Sequence, residues 1–411
     1  MFIVIGAVVG VLLLLFLFVE LVLFSLSLGR VNRGSGNSNT TGNGSQGSSV
    51  DYETAYKGSG VPDVLTEEVL ADYLKNLAPA DDEYDFRYAS DFVEFDIVKI
   101  HKGRDSSAYE KILGYKDATL EQIRQVIDAN DNIGPKYKDF VYQYACDLRA
   151  LYPNCNLAVF YHNLQTLVID EMTQTEIDIE TLSTNSAACY LRYENRVCIA
   201  EGLDLSRESD DYIILAHELC HAARSLQKKT DDYDDYNIDI GFYDDYQMGT
   251  YAEEGIVTNI AYELQGMGNR ATFYPMLASY YRIICNCIDY SGEDFFNHSV
   301  NYLIVQMDAF MGDEEYAYRV VAMIDAQMSL RYTPYQSVDF RDFQPLYEYL
   351  ARMYFKKNLQ AGMTYEQAKE VFDAFYEDIT FNFENMNRGY DISEENFAET
   401  FAQCVEALGI Q

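Results

Sequence analysis

The sequence has no tryptophan, only five histidines, and 30 basic residues against 66 acidic ones, which gives a formal charge of −36 over 411 residues. The shortage of Lys and Arg excludes a nucleic acid partner, because a surface this acidic repels phosphates. It repels anionic headgroups too, so any tie to a membrane must be apolar. Eight cysteines in so long a chain are too sparse for a disulfide scaffold. Cys285 and Cys287 are too close in sequence for a routine bridge, and buried free thiols are expected for most of the eight. Against the missing tryptophan stand 36 tyrosines, a bias that carries no functional account.

What is present is enough to fold. Hydrophobic residues make up 48% of the chain, and its length allows one large domain or two ordinary ones with ample core. Residues 2–28 carry a single charge, Glu20, after an uncharged run of 18 residues. At 1.5 Å per helical residue that run reaches across a bilayer core. It exceeds a normal signal-peptide core and no Lys or Arg precedes it, so an uncleaved anchor over 1–29 is expected rather than a cleaved leader. Residues 30–50, rich in Gly, Ser and Asn, read as a flexible linker that holds the following body about 25 Å from the membrane on average. Arg30 and Arg33 follow the span and vote for a cytoplasmic body. The polar low-complexity stalk votes the other way, and an extracytoplasmic body tethered to the cell membrane is the expectation taken.

The body, 51–411, divides into three stretches. Residues 51–150 read as mostly helical, with Phe140, Tyr144 and Leu148 on one helix face and Pro153 beyond its end. Residues 151–265 read as mixed. The segment 156–169 is rich in strand formers, and 189–200, "CYLRYENRVCIA", reads as a hairpin around Glu194 and Asn195. Residues 266–411 read as a helical lobe, in which Thr364 and Gln367 form a capping box. The acidic segment 231–246 alternates Asp235, Asn237 and Asp239 like a calcium loop. An EF-hand loop then needs Gly and Glu where Ile240 and Tyr246 stand, so a solvated acidic loop is expected instead.

Two of the five histidines fall within "AHELCHAARS", residues 216–225. Over 209–229 no Pro or Gly interrupts the helical pattern. Ser209 suits its N-cap, Asp210 and Asp211 its positive end, and Lys228 and Lys229 its negative end. His217 and His221 are therefore i and i+4 on one face, the spacing at which two imidazoles share one tetrahedral zinc. Glu218 lies about 100° round and can reach a water at the metal without ligating it. A chance H-E-x-x-H in a chain with five histidines is expected about one per cent of the time or less, so a third ligand decides the matter. About thirty residues on, "GTYAEEGIVTNIAYEL" (249–264) offers Glu253 and Glu254. Glu254 is the choice, because Thr258 then lies one turn on along the same face, where its hydroxyl can orient a zinc histidine. Glu253 is expected to point away as a solvated acid, and Cys220 to be a small packing residue on the inner side of the helix.

HELCH with a downstream E-E-G-x-x-T resembles the gluzincin metallopeptidases, the thermolysin-like clan, in the form of uncharacterised bacterial membrane-tethered members. The resemblance is specific over about 190–265 and architectural elsewhere. It implies His217, His221 and Glu254 as ligands of one zinc ion and Glu218 as general base. It also implies an α+β zincin fold, with a small twisted sheet over the active-site helix, a helical lobe closing the cleft, and an edge strand that binds extended peptide. Where Thr258 stands the clan often has Asp. For the donor that stabilises the oxyanion, Tyr246 is a candidate, with Tyr251 and His298 as others; His101 and His162 read as ordinary polar residues. The leading expectation is a membrane-anchored zinc endopeptidase acting on protein or peptide. A non-catalytic binding module on the same scaffold and a zinc hydrolase of non-peptide bonds are the alternatives. A decayed enzyme is expected to lose Glu218 or a ligand, and all four positions stand.

Overall fold

The computed structural model describes residues 82–89, 94–102, 116–181, 185–227, 239–240, 250–266, 274–298, 300–331, 343–380 and 393–411. All fall within one compact unit, Pro62–Gln411. The anchor and linker expected over 1–50 lie outside the described residues. Among those described, no helix is long and apolar enough to cross a membrane.

The architecture is mixed α+β and mostly helical, with one three-stranded sheet. The first described elements are two strands, β1 (Asp82–Ala89) and β2 (Glu94–Lys102), paired antiparallel with an irregularity between Tyr84 and Phe86. These strands lie within the stretch read as mostly helical and were not expected there. Tyr84, Phe86 and Tyr88 alternate with charged residues at the period of a strand. Two helices follow, α1 (Leu120–Ala129) and α2 (Pro135–Leu151). Thr119 caps α1 in a reciprocal box with Gln122. Phe140, Tyr144 and Leu148 are buried along α2, as its spacing predicts.

Next comes α3 (Ala158–Leu164), a helix where strand was expected. Within it only Val159 is β-branched, and nearly every side chain is buried, so apolar periodicity does not separate helix from strand there. The Asn156 side chain accepts from the Ala158 N–H at 2.8 Å and starts the turn. β3 (Val168–Met172) runs on directly, and α4 (Gln174–Glu180) follows under a Thr173–Glu176 capping box. The hairpin forms as β4 (Ala188–Leu191) and β5 (Arg196–Ala200), joined by a 3₁₀ turn with Asn195 left-handed at φ 48°. Left-handed backbone is a conformation Asn tolerates better than most residues. β5 is central, parallel to β3 and antiparallel to β4.

The motif helix α5 (Asp211–Arg224) packs against β4 and β5 and is buried on almost every side. It starts at Asp211, whose N–H bonds the Ser209 hydroxyl at 3.2 Å. It stops at Arg224, short of the expected 229, and a two-residue strand β6 (Leu226–Gln227) follows, pairing with β7 (Asp239–Ile240). The rest of the acidic segment and Lys228 and Lys229 lie outside the described residues.

Every element described from 250 on is a helix, as expected from about 251. α6 (Thr250–Gln265) packs on α5 and on α7 (Pro275–Ile288). The short α8 (Gly292–Asn297), α9 (Val300–Met311) and α10 (Tyr316–Arg331) follow, then α11 (Gln344–Asn358), α12 (Tyr365–Thr380) and α13 (Glu395–Ala407). The Thr364–Gln367 box opens α12. Phe355, Phe372, Phe375, Phe397 and Phe401 interlock α11, α12 and α13, with ring centroids 5.0 to 6.1 Å apart.

Gly255 sets the contact of α6 with α7. A Cβ there would lie 2.6 Å from the Tyr281 ring and 2.8 Å from the Leu277 carbonyl oxygen. Ala at an exposed helical site gains about 1 kcal/mol over Gly. Here the overlap reverses the sign, and Gly255→Ala is expected to destabilise by about 1–3 kcal/mol. Chemical denaturation checks this, and an unchanged or raised midpoint would show that α7 yields without cost.

Candidate metal centre

Helices α5 and α6 bring three donors together. His217 Nε2 and His221 Nε2 lie 3.1 Å apart, His217 Nε2 and Glu254 Oε2 3.1 Å, and His221 Nε2 and Glu254 Oε2 3.5 Å. A tetrahedral ion with bonds of about 2.0–2.1 Å separates its ligand atoms by about 3.3–3.4 Å. The triangle matches the face of such a tetrahedron, and a group of this kind can hold a metal ion. Both histidines are buried, and Glu254 is partly so.

The hydrogen bonds behind the donors fit the same reading. His221 Nδ1 donates to Glu253 Oε1 at 2.7 Å. A carboxylate only accepts, so in the neutral ring Nε2 carries the lone pair. His217 Nδ1 lies 3.5 Å from the Thr258 hydroxyl, which itself donates to the Glu254 carbonyl at 2.7 Å. The Thr258 proton is thereby committed, and its oxygen faces the His217 ring as an acceptor. Two imidazole lone pairs and a carboxylate thus converge on one point. That arrangement is unfavourable unless a cation or a proton sits among them.

Glu253 corrects the expectation of a solvated acid. It is fully buried, and its second oxygen meets Arg192 Nη2 at 3.3 Å. Helical spacing turned it away from the metal position, as expected, but into the protein, against the back of His221. An unpaired buried carboxylate costs several kcal/mol, and Arg192 supplies the missing charge from the β4–β5 turn, 61 residues away in sequence.

The electrostatics follow from this packing. Burial works against a charged His221, but the Glu254 and Glu253 carboxylates outweigh it and raise its pKa to about 10. Burial likewise opposes ionised Glu254, and the two imidazoles outweigh it and hold that carboxyl well below the usual range. Glu218 goes the other way. Burial pushes its carboxyl up, with both histidines opposing only in part. Its carboxylate accepts from the Tyr190 backbone N–H of β4, which sets the acid beside the sheet's edge.

The oxyanion candidates fare differently. Tyr246 lies outside the described residues. His298 stacks on Tyr302 at 4.0 Å, and its carbonyl accepts from Arg224. Tyr251, on the first turn of α6, packs partly buried against the core. A tyrosine that was not a candidate, Tyr274, stacks on His217 with centroids 6.0 Å apart. It stands left-handed at φ 41° directly before Pro275, a backbone uncommon for an aromatic residue. Nothing among 36 tyrosines marks it in the sequence. Cys220 is a buried packing residue, and all eight cysteines are free thiols. No family model, curated protein or solved structure matches the chain.

Proposed function

We propose that the chain is a zinc-dependent peptidase of gluzincin type, tethered to a membrane through residues 2–28. The observation that carries the proposal is the tetrahedral spacing of His217, His221 and Glu254 with Glu218 alongside, because three donors leave a fourth position open to water and substrate. His217, His221 and Glu254 would hold the zinc, which when bound would polarise a carbonyl and lower the pKa of water toward ~7. Glu218 then accepts the proton of the attacking water and passes it to the leaving amine, a task suited to a carboxylate whose pKa burial has raised. β4 is an edge of the sheet among the described residues. Its free edge offers backbone groups to an extended peptide, and Tyr190 of that strand already reaches Glu218.

The test is metal analysis of the purified protein followed by digestion of a broad peptide library with and without a chelator. One zinc per chain is expected, with cleavage lost on chelation and regained on adding zinc. A chain that binds zinc stoichiometrically and cuts nothing in the library overturns the peptidase assignment. A chain that binds no metal overturns the centre itself.

A further inference from the structure

Arg192 contributes nothing to the donor triangle and comes from neither of its helices. It stands at the start of the 3₁₀ turn that joins β4 to β5. Its guanidinium meets Glu253; the Arg192 side chain is 11% exposed and that of Glu253 0%. Glu253 in turn holds His221 Nδ1. Two adjacent carboxylates therefore address one imidazole from opposite sides, Glu254 at Nε2 and Glu253 at Nδ1. Unrelieved, two negative charges on adjacent residues at one imidazole, Glu253 fully and Glu254 partly buried, repel each other. From this geometry we infer that Arg192 is a positioning residue for the metal centre. It acts through Glu253, whose charge it balances, so that Glu253 stays against Nδ1 and His221 presents Nε2 to the metal.

The inference rests on the metal-centre reading and goes beyond it. The chain Arg192–Glu253–His221 links the turn of the edge strand to a ligand, so the sheet and the centre are one mechanical unit. Lys at this position would keep the charge but carry it as a compact ammonium on a flexible stem, without the planar guanidinium. Loss of an outer partner of a metal-ligating histidine typically weakens metal binding 10–100-fold.

The test uses the full chain and reads zinc affinity by competition with a chromophoric chelator, beside the melting curve of the metal-free protein. The variants are Arg192→Gln, Arg192→Lys, Glu253→Gln and the Arg192→Gln/Glu253→Gln double. Arg192→Gln is expected to weaken zinc binding about 10–100-fold, and Arg192→Lys by less. If Arg192 works through the charge of Glu253, the double variant binds zinc no more weakly than the weaker single one. Losses that multiply in the double variant overturn the inference. So does an Arg192→Gln protein that melts earlier but binds zinc as the wild type does, for that is a merely structural ion pair. Should Arg192→Gln fail to fold, Arg192→Lys and Glu253→Gln decide: Arg192→Lys, which keeps the charge, is expected to bind zinc more tightly than Glu253→Gln, and a Lys variant as weak as Glu253→Gln overturns the inference, as does wild-type affinity in Glu253→Gln. Wild-type protein without zinc binding overturns the metal reading first and this inference with it, an outcome distinct from wild-type binding unaffected by Arg192.

Discussion

Glu218→Gln is expected to lower the rate of peptide cleavage by ~10²–10⁴-fold, toward the upper end, while zinc stays bound. The separation of the two effects follows from geometry. Glu218 neighbours His217 on α5 but lies about 100° round the helix, outside the donor triangle of His217, His221 and Glu254. Gln keeps the size, and its carbonyl oxygen can still accept from the Tyr190 N–H that the carboxylate meets. It cannot take a proton from water. His217→Ala differs, because it removes a donor, so metal and activity go together. The measurement is a paired one, cleavage rate and metal content on the same preparations. If wild type and Glu218→Gln hold zinc equally and behave identically toward every peptide, the general-base role is wrong and the peptidase proposal goes with it.

The centre was legible to the extent that its chemistry was local. The i, i+4 histidines sit on one helix, and the choice of Glu254 over Glu253 needed only the one-turn spacing to Thr258. Both follow from helical geometry. The β4–β5 hairpin was legible from alternation and from Asn195 at its turn. Glu253 was not, because a charge at a position facing the interior reads as solvated until its partners are known, and Arg192 comes from a different element. Tyr274 was not, because its ring meets His217 from the start of α7, far on in the sequence, and no local pattern marks it. The helix Ala158–Leu164 was misread for a related reason: burial on all sides erases the period that separates helix from strand. Gly255 is the opposite lesson. It directly follows the candidate donor Glu254, yet its close contacts are Tyr281 and the Leu277 carbonyl. The glycine brings α7 up to the helix that carries Glu254.

Zinc affinity is expected to climb with pH, about tenfold per unit, well above the range in which an ordinary histidine titrates. A free histidine loses its proton near 6.5, so a site of ordinary imidazoles would bind zinc equally well at pH 7 and pH 9. Here burial opposes the charged form of His221, but the carboxylates of Glu254 and Glu253 outweigh it and raise its pKa to about 10. At pH 7 to 9 the metal-free centre therefore keeps a proton on His221, and zinc must displace it, releasing one proton per ion bound. Between pH 7 and 9 the affinity should rise about a hundredfold. The metal-free fold carries the mirror dependence. A raised folded-state pKa contributes stability that is fully present below about 6.5 and is lost as pH climbs through about 10. Metal-free protein should thus melt progressively earlier across that window, while zinc-loaded protein, with His221 already neutral, should not show this loss. Competition with a chelator of known pH dependence, together with proton release measured in two buffers of different ionisation enthalpy, checks the first expectation, and melting curves check the second. A flat affinity from pH 7 to 9 would mean that Glu253 and Glu254 do not hold a proton on His221. The convergent donors would then be kept apart by the fold alone, without the proton that the metal is expected to replace.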